Sequence, residues 1–296
     1  MLANKRLLLG LLFQSASETL LEFGQRRLGG QLGAIMVLHT WDQLLKPPFH
    51  VHALVPGGAL ADEGQRWNPT QAKFLFPVKA LSTVFRAKYL DGLRRFYVEQ
   101  KLRLTHTTLE LEAPKTFETF VKGLRSKNWI VYAKAPFGGP EQTLSYLGRY
   151  THHVAISNHR LLEIQGAQIR FTFRNRQQGD RSEVAQLDAH TFIERFLMHV
   201  LPSGFVRVRP YGLLANRCKA YTLPLCPQAL GQVEPPPPPE PKSVAQWMQQ
   251  WTGIDITRCP TCGHQPLERI PVSASCCVTV ARPRSGVSWS IPMPRL

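Results

Sequence analysis

Apolar residues recur at helical spacing in three parts of the chain. Over residues 4–24 they form one continuous stripe, which predicts an amphipathic helix. Residues 80–100 repeat the pattern with basic residues between the apolar ones, and residues 188–201 repeat it after Asp188, a predicted N-cap. We expect these helices to pack through their apolar faces.

Short apolar runs bounded by turn residues predict strands between the helices. The runs cover residues 33–40, 49–55 and 129–137, and residues 159–165 and 168–174 form a hairpin across Gly166 and Ala167. A further helix is expected to begin after Gly138, Gly139 and Pro140. Strands mixed with helices in this way indicate an α+β fold.

A proline run divides the chain into a large and a small part. The segment EPPPPPEPK at residues 234–242 is incompatible with a helix or a central strand and is typical of an extended spacer. We therefore predict a domain over residues 1–230, a linker over 231–242 and a short C-terminal tail over 243–296.

Lysine and arginine greatly outnumber the acidic residues. The chain has 36 Lys and Arg against 20 Asp and Glu, which gives a formal net charge of +16 at pH 7. A polyanionic partner fits this excess, because each phosphate that a basic side chain neutralises releases a counterion. Nucleic acid and an anionic membrane surface are both polyanions of this kind, and basic charge alone does not separate them.

The apolar run at residues 7–13 follows two basic residues, as in a secretory signal, but it is far too short to span a bilayer. Because the helical stripe continues beyond this run, a helix packed on the domain is favoured over a signal. The six cysteines suggest no disulfide framework, which fits a reducing compartment. We expect a cytoplasmic protein with no membrane partner.

Two histidines flank a single apolar residue in the strand predicted at residues 49–55. His50 and His52 project from the same face of such a strand, because successive side chains alternate between faces. Adjacent imidazoles hold a divalent metal and leave positions open for a substrate. The alternative is a pair of histidines that are hydrogen-bonded at a sheet surface.

Two tyrosines lie four residues apart in the helix predicted after residue 140. Tyr146 and Tyr150 share a face of that helix, and core packing is the alternative explanation for the pair. Neither the tyrosine pair nor the histidine pair is specific by itself. Together with the positive charge they suit phosphodiester chemistry, in which a metal neutralises the phosphate and a phenol attacks phosphorus.

Several longer motifs resemble one family, the two-tyrosine HUH transposases of rolling-circle insertion sequences. The resemblance covers residues 4–226. It implies a metal-dependent endonuclease and strand transferase that acts on single-stranded DNA at element ends and target through a 5′-phosphotyrosine intermediate. It also implies the HUH fold, an antiparallel sheet flanked by helices with the histidine pair on a central strand. The motifs are VLHTWDQ (37–43), FHVHALVPGGAL (49–60), FLFPVKALSTVFRAKYLDGLRR (74–95), WIVYAKAPFGGPEQTLSYLGRYTHHVAISNHRLL (129–162) and FLMHVLPSGFVRVRPYGLLANR (196–217).

The resemblance assigns roles to individual residues. His50 and His52 match the pair that binds Mg²⁺ or Mn²⁺, and Tyr146 and Tyr150 match the nucleophiles. The third ligand is either His39, favoured because an imidazole on a neighbouring strand is a good ligand, or Gln142. His152 is expected to orient phosphate or assist proton transfer, with a solvated histidine as the alternative. The expected phosphate contacts are Arg149, Arg207, Arg209 and Arg217, although surface arginines are often only solvated.

Two features depart from the family pattern. Members usually have a zinc-binding module and a further sheet strand before the position that matches Asn4, so we expect this chain to be N-terminally truncated. His153 stands where an arginine is expected. These departures leave a second function open, that of a non-catalytic DNA-binding fragment of a decayed transposase.

The tail contains half of a zinc-binding motif. Cys259 and Cys262 form a C-x-x-C pair followed by glycine, a turn that presents two thiolates to one zinc ion. A complete site needs two further ligands, for which His264, Cys276 and Cys277 are candidates. An unmetallated remnant is the alternative.

Overall fold

Helices and antiparallel strands alternate along most of the chain, which confirms the α+β class and a set of antiparallel sheets flanked by helices. The structure is a computed structural model that describes residues 2–71, 75–134, 139, 142–143, 146–148, 155–175, 178–231 and 241–258. The chain divides into two compact units, Met1–Pro235 and Pro236–Leu296, which are described separately.

The described residues of the first unit form a series of helices and strands that follows the predicted order in outline. The helices are α1 (Lys5–Phe23), α2 (Val78–Val98), α3 (Pro114–Ser126), α4 (Ala189–Leu197) and α5 (Lys219–Ala229). The strands are β1 (Gly33–His39), β2 (His50–Leu54), β3 (Gly58–Ala61), β4 (Arg66–Pro69), β5 (Leu161–Gln165), β6 (Gln168–Asn175), β7 (Arg181–Asp188) and β8 (Val208–Gly212).

The strands pair into three antiparallel sheets. Their orders are β2-β1-β8, β3-β4 and β5-β6-β7. The strand that carries His50 and His52 is therefore an edge strand among the described residues, and β1 is the central one. The expectation of a central histidine strand is wrong in this respect, because nothing described pairs with the outer edge of β2.

Helix α1 confirms the predicted N-terminal helix, but its burial is wider than one stripe. Leu8, Leu11 and Leu12 are buried as expected, and Leu9 and Phe13 are completely buried as well. The helix packs against α2 and also against β1 and β2, so that little of its surface is left for solvent. The polar face that the amphipathic pattern predicts is narrow, and on it Arg6, Gln14 and Glu18 remain exposed.

Residues 129–134 do not form the predicted strand, and residues 135–137 of that prediction lie outside the described residues. Trp129 packs on α2, where its ring centroid lies 5.4 Å from that of Phe85 and 5.3 Å from that of Tyr89. Ile130 and Tyr132 are 94% and 79% exposed. Apolar, β-branched residues favour a strand only where a neighbouring strand accepts their hydrogen bonds, and none is described beside this segment.

The hairpin and helix predicted after residue 158 are confirmed with small shifts. Strands β5 and β6 pair across Gly166 and Ala167, and the Asp188 carboxylate accepts a hydrogen bond from the Thr191 amide as an N-cap. Helix α4 ends at Leu197 rather than at residue 201. The hydrophobic pattern did not indicate several other elements, namely α3, α5, β3, β4, β7 and β8.

One helix is described in the second unit, α6 (Val244–Thr252). Ser243 and Gln246 form a capping box at its start, and the Lys242 ammonium lies 5.2 Å from the centroid of the Trp247 ring. Most of the predicted linker lies outside the described residues. Among the helices that the structure describes, none is long and apolar enough to cross a bilayer.

The contact between α1 and α2 gives a testable prediction at Gly92. A Cβ atom at this position would overlap the buried Leu11 side chain. Alanine favours a helix over glycine by about 1 kcal/mol. Overpacking costs about 1–3 kcal/mol in a well-packed core. We expect Gly92→Ala to lower the free energy of unfolding by about 1 kcal/mol, measured by urea denaturation.

Gly123→Ala is the matched control. Gly123 also lies inside a helix, but an added Cβ there meets nothing within 4 Å. This substitution should raise the free energy of unfolding by about 0.5–1 kcal/mol. Equal stabilisation by both substitutions would contradict the close approach of α1 and α2.

Candidate metal and tyrosine site

Three histidine side chains meet on one face of the sheet formed by β2, β1 and β8. The strand register places His39 directly opposite His50, and His52 opposite Val37. Opposed residues of an antiparallel pair share a face, and so do residues two apart in one strand. His39 Nδ1 lies 3.3 Å from His50 Nε2, which lies 3.0 Å from His52 Nε2.

The hydrogen bonding of His50 directs a lone pair into this cluster. Its Nδ1 lies 2.6 Å from the Pro48 carbonyl oxygen, an acceptor, so Nδ1 carries the proton and donates it. Nε2 is then the unprotonated nitrogen, and it faces His39 and His52. A hydrogen bond donated by the ring nitrogen that does not bind the metal commonly fixes the tautomer of a metal-binding histidine.

His52 is held neutral by its surroundings. Burial, the neighbouring His50 and the Lys134 ammonium together lower the pKa of His52 to about 4. Neutral imidazole is the form that binds metals, because its free nitrogen lone pair is the donor.

Tyr146 contacts the imidazole of His52 through the ring nitrogen that faces away from His50. Its Oη lies 3.0 Å from His52 Nδ1, and the two ring centroids are 6.2 Å apart at 71°. The described residues around it, 142–143 and 146–148, are helical. The structure thus brings the tyrosine together with the histidine pair, as the two sequence motifs predicted.

The cluster of His39, His50 and His52 fits a divalent metal ion. The candidate ligand atoms lie within 4.8 Å of one another, and all three donors are imidazole nitrogens. Tetrahedral coordination at about 2.1 Å separates nitrogen ligands by roughly 3.4 Å. The two spacings from His50 Nε2, 3.3 Å to His39 and 3.0 Å to His52, are close to this value. Gln142, the alternative third ligand, is an exposed residue one turn before Tyr146.

The remaining predicted site residues have different positions. Arg207 is half-buried, with its guanidinium 5.2 Å from the centroid of Trp41, whose ring lies 4.8 Å from that of His39. Burial lowers the pKa of Arg207. Arg217 is exposed between β8 and α5. The predicted residues outside the described part of the chain are Arg149, Tyr150, His152, His153, Cys259, Cys262, His264, Cys276 and Cys277.

Arg209 lies on the sheet face opposite the histidine cluster. It pairs with Met36, whose side chain packs in the core beneath α1. Its guanidinium lies 4.4 Å from the ring centroid of Phe13 and 4.7 Å from that of Phe205. This packing between two aromatic rings accounts for Arg209 without a ligand.

The loop between β1 and β2 is fastened by side chains that the sequence motifs did not single out. Arg160 donates to the Gln43 carbonyl at 2.6 Å, Arg195 to the Leu44 carbonyl at 3.2 Å, and His199 to the Leu45 carbonyl at 3.0 Å. The Asp42 carboxylate accepts hydrogen bonds from the Leu44 and Lys46 amides inside the loop. These bonds fix the chain segment that sets His39 against His50.

The site described above lies within a region that matches a known family. This region includes His39, Trp41, Arg207 and the contact between Tyr146 and His52. The sequence profile of the Y2_Tnp family, described as "Putative transposase", matches residues 33–221. The chain is 41% identical over 266 residues to "Putative transposase y4qJ" of Sinorhizobium fredii, and the match covers 88% of this chain and 67% of that protein.

A second relative is more distant. The chain is 28% identical over 277 residues to the "Transposase for insertion sequence element IS801" of Pseudomonas savastanoi pv. phaseolicola, with 90% of this chain and 63% of that protein covered. The chain thus spans about two thirds of the length of these relatives. No solved structure matches it.

The family profile and both relatives place the chain in the transposase class. The chain belongs to the Y2_Tnp family, whose profile covers more than half of its residues. Membership of this family supports a role in DNA transposition.

The cluster gives a testable prediction for metal binding. We expect His50→Ala combined with His52→Ala to abolish the binding of Mn²⁺, because two of three donors are lost. Isothermal titration calorimetry of the purified chain with Mn²⁺ measures this directly.

His106→Ala is the control, because His106 is exposed and lies outside the cluster. It should bind Mn²⁺ like the unaltered chain. Retention of the same Mn²⁺ affinity by the double variant would place the metal elsewhere.

Proposed function

We propose that the chain is a cytoplasmic, divalent-metal-dependent endonuclease and strand transferase that cleaves single-stranded DNA in transposition. The observation that carries the proposal is the 3.0 Å contact between Tyr146 Oη and His52 Nδ1, beside three converging imidazoles. A nucleophile next to a metal-binding cluster is the arrangement that phosphodiester cleavage by a tyrosine requires. Membership of the Y2_Tnp family supports DNA as the substrate.

The metal is proposed to be held by His39, His50 and His52. When bound, a divalent ion neutralises the charge of the scissile phosphate and polarises its P–O bond. Of the two expected ions, Mn²⁺ fits a set of three nitrogen donors better than Mg²⁺, which prefers oxygen ligands.

His52 is proposed to hold the Tyr146 phenol in its reactive form. With its Nε2 lone pair directed at the metal position, His52 carries its proton on Nδ1 and donates it to Tyr146 Oη. A hydrogen bond donated to the phenolic oxygen favours the phenolate, the stronger nucleophile.

The proposed reaction exchanges one phosphate ester for another. Tyr146 Oη attacks phosphorus and forms a bond to the 5′-phosphate, and the bond to the preceding sugar breaks, which releases a free 3′-hydroxyl. Tyr150 is proposed as the second nucleophile, which acts while the first is covalently occupied, and His152 as the group that orients the phosphate.

Single-stranded DNA is proposed to approach across the surface beside the histidine cluster. Arg207 lies closest to this surface among the described arginines of the proposal, because its guanidinium covers Trp41 next to His39. Arg149 and Arg217 are proposed as further phosphate contacts, whereas the aromatic packing of Arg209 favours a structural role.

One observation favours the alternative of a DNA-binding chain that does not cleave. Among the described strands, the one that carries His50 and His52 lies at a sheet edge, and a strand paired on one side only is held less firmly than one paired on both. Catalysis needs its groups held to within about 0.5 Å, so a loose edge strand would reduce it.

Covalent capture tests the proposed nucleophiles. Incubation with Mn²⁺ and a single strand that carries an element end should give a protein–DNA adduct that survives SDS, because the phosphodiester is conserved as a tyrosine ester. We expect Tyr146→Phe and Tyr150→Phe each to leave part of the adduct, and the double variant to abolish it. Denaturing gel electrophoresis with labelled DNA measures the adduct.

Phenylalanine retains the ring, so the double variant should keep its stability and its DNA affinity. Tyr221→Phe is the control, because Tyr221 on α5 is 76% exposed and is not among the residues that surround His52 and Tyr146. An adduct that is undiminished in the double variant would reject the assignment of the nucleophiles. No adduct from any variant, with intact DNA binding, would favour the non-catalytic alternative.

The net charge of +16 gives a prediction for DNA affinity. Binding to a labelled single strand should weaken steeply with salt, with a slope of log K against log[salt] of about −0.7 for each phosphate contacted. Fluorescence anisotropy at NaCl concentrations from about 50 to about 200 mM measures the slope. A salt-independent affinity would contradict the electrostatic basis of the proposal.

A further inference from the structure

A lysine that the sequence motifs did not single out borders the tyrosine and histidine site. Lys134 lines the same cavity as His50, His52 and Tyr146. Its ammonium helps to lower the pKa of His52, after the larger effects of burial and of His50, so its positive charge lies close enough to act on that imidazole. Lys134 thus brings a full positive charge to the place where Tyr146 and His52 meet.

Contacts with α2 and α3 hold the chain segment that leads to Lys134. The Trp129 ring packs on α2, and its Nε1–H donates to the Leu124 carbonyl of α3 at 3.1 Å. Arg86 of α2 donates to the Lys127 carbonyl at 2.9 Å. These bonds lie shortly before Lys134, so the backbone of this residue is kept near the site while its exposed side chain stays able to move.

No carboxylate in the described part of the chain pairs with Lys134. The described lysines that form ion pairs with carboxylates are Lys88 and Lys101. The basic residues that line the cavity are Arg103, Lys127 and Lys134, and none of the described residues around it is an aspartate or a glutamate. A cation beside a reactive group and without an acidic partner favours an anionic ligand.

The arginines around the site have other partners. Arg160 and Arg195 donate to carbonyls of the β1–β2 loop, the guanidinium of Arg207 covers an indole ring, and that of Arg209 lies between two aromatic rings. Lys134 makes no contact of these kinds with the described residues. Its ammonium is a compact charge with three donors on a flexible stem, which suits a phosphate oxygen.

We infer that Lys134 binds a non-bridging oxygen of the scissile phosphate, beside Tyr146 and the histidine cluster. The inference rests on the proposed function, because it gives a partner to the phosphate that this function cleaves. A phosphodiester shares its negative charge between two non-bridging oxygens, so a lysine and a metal ion can hold it together. Such a pair stabilises the charge that develops when a phosphoryl group is transferred. Lys134 is then a catalytic residue, unlike remote phosphate contacts, which give affinity alone.

A set of combined protein and DNA changes tests this contact without cleavage. The full chain carries Tyr146→Phe and Tyr150→Phe, so that no phosphate ester is exchanged, and it is studied with and without Mn²⁺. A labelled single strand with an element end is made with one methylphosphonate, a neutral phosphate analogue, at each position in turn. Fluorescence anisotropy gives the affinity of each strand for this chain and for the same chain with Lys134→Ala.

We expect Lys134→Ala to weaken the binding of the unmodified strand by about tenfold, as the loss of a charged hydrogen bond does. At one position, the weakening caused by a methylphosphonate should be about tenfold smaller without Lys134 than with it, because the contact is already lost. That position should also be the one at which the methylphosphonate removes the effect of Mn²⁺ on affinity. This coincidence distinguishes a residue at the reacting phosphate from one that only adds charge.

Lys127→Ala is the matched control. Lys127 is an exposed lysine of the same segment and lines the same cavity, but it does not contribute to the lowered pKa of His52. Its substitution should show no coupling at the phosphate that depends on Mn²⁺. Lys134→Arg, which retains the charge, should keep most of the coupling.

Two results would overturn the inference. The first is the absence of coupling between Lys134 and any phosphate. The second is coupling only at a phosphate that does not depend on Mn²⁺, which would make Lys134 one of many distributed charges. The covalent adduct of the chain with both tyrosines is scored separately. An adduct without coupling would reject the inference alone, whereas coupling without an adduct would reject cleavage and leave the phosphate contact in place.

Discussion

The pairing register between β1 and β2 is the constraint on which the candidate site depends. His39 stands opposite His50, and His52 lies two residues further along the same face. A shift of one residue would turn His50 and His52 to the other face of the sheet, into the apolar core beneath α1. The loop that joins the two strands spans residues 40–49 and is fastened along its length, and the buried Leu45 anchors it. Leu45 adopts a backbone φ of 59° to do so, a conformation that only strong surrounding contacts sustain in a non-glycine residue.

Local patterns in the sequence were sufficient to predict the strand that carries His50 and His52 and the helix that carries Tyr146. Alternation within a strand already places His50 and His52 side by side, and helical spacing places Tyr146 on a helix that follows. Neither pattern contains the distance between Tyr146 and His52, which are 94 residues apart. That distance depends on how β2 and the helical residues near Tyr146 pack. The sequence likewise did not decide whether His39 belongs to the histidine cluster, because this depends on the register between β1 and β2 and not on a spacing along the chain.

The misjudged elements are those whose structure depends on distant partners. Residues 129–134 have the apolar composition of a strand, but a strand exists only where another edge pairs with it. Strand β7 was overlooked because its alternation is mostly polar, and it is held by pairing along all eight residues with β6. Arg160, Arg195 and His199 act on the loop across 117, 151 and 154 residues of sequence. Periodicity within a window carries no information about contacts at this range.

The way in which the β1–β2 loop is fastened also shapes the electric field around the histidines. Arg160 and Arg195 donate to neutral carbonyl oxygens rather than to carboxylates, so these bonds do not cancel their positive charge, although the nearby Asp42 offsets part of the charge of Arg160. The same two side chains therefore hold the loop and contribute attraction for a polyanion. Hydrogen bonds to carbonyls depend little on ionic strength, whereas attraction over longer distances is screened within about 8 Å at physiological salt. If nucleic acid binds at this surface as proposed, rising salt would release it well before the loop loosens, and the site would survive conditions under which the nucleic acid leaves.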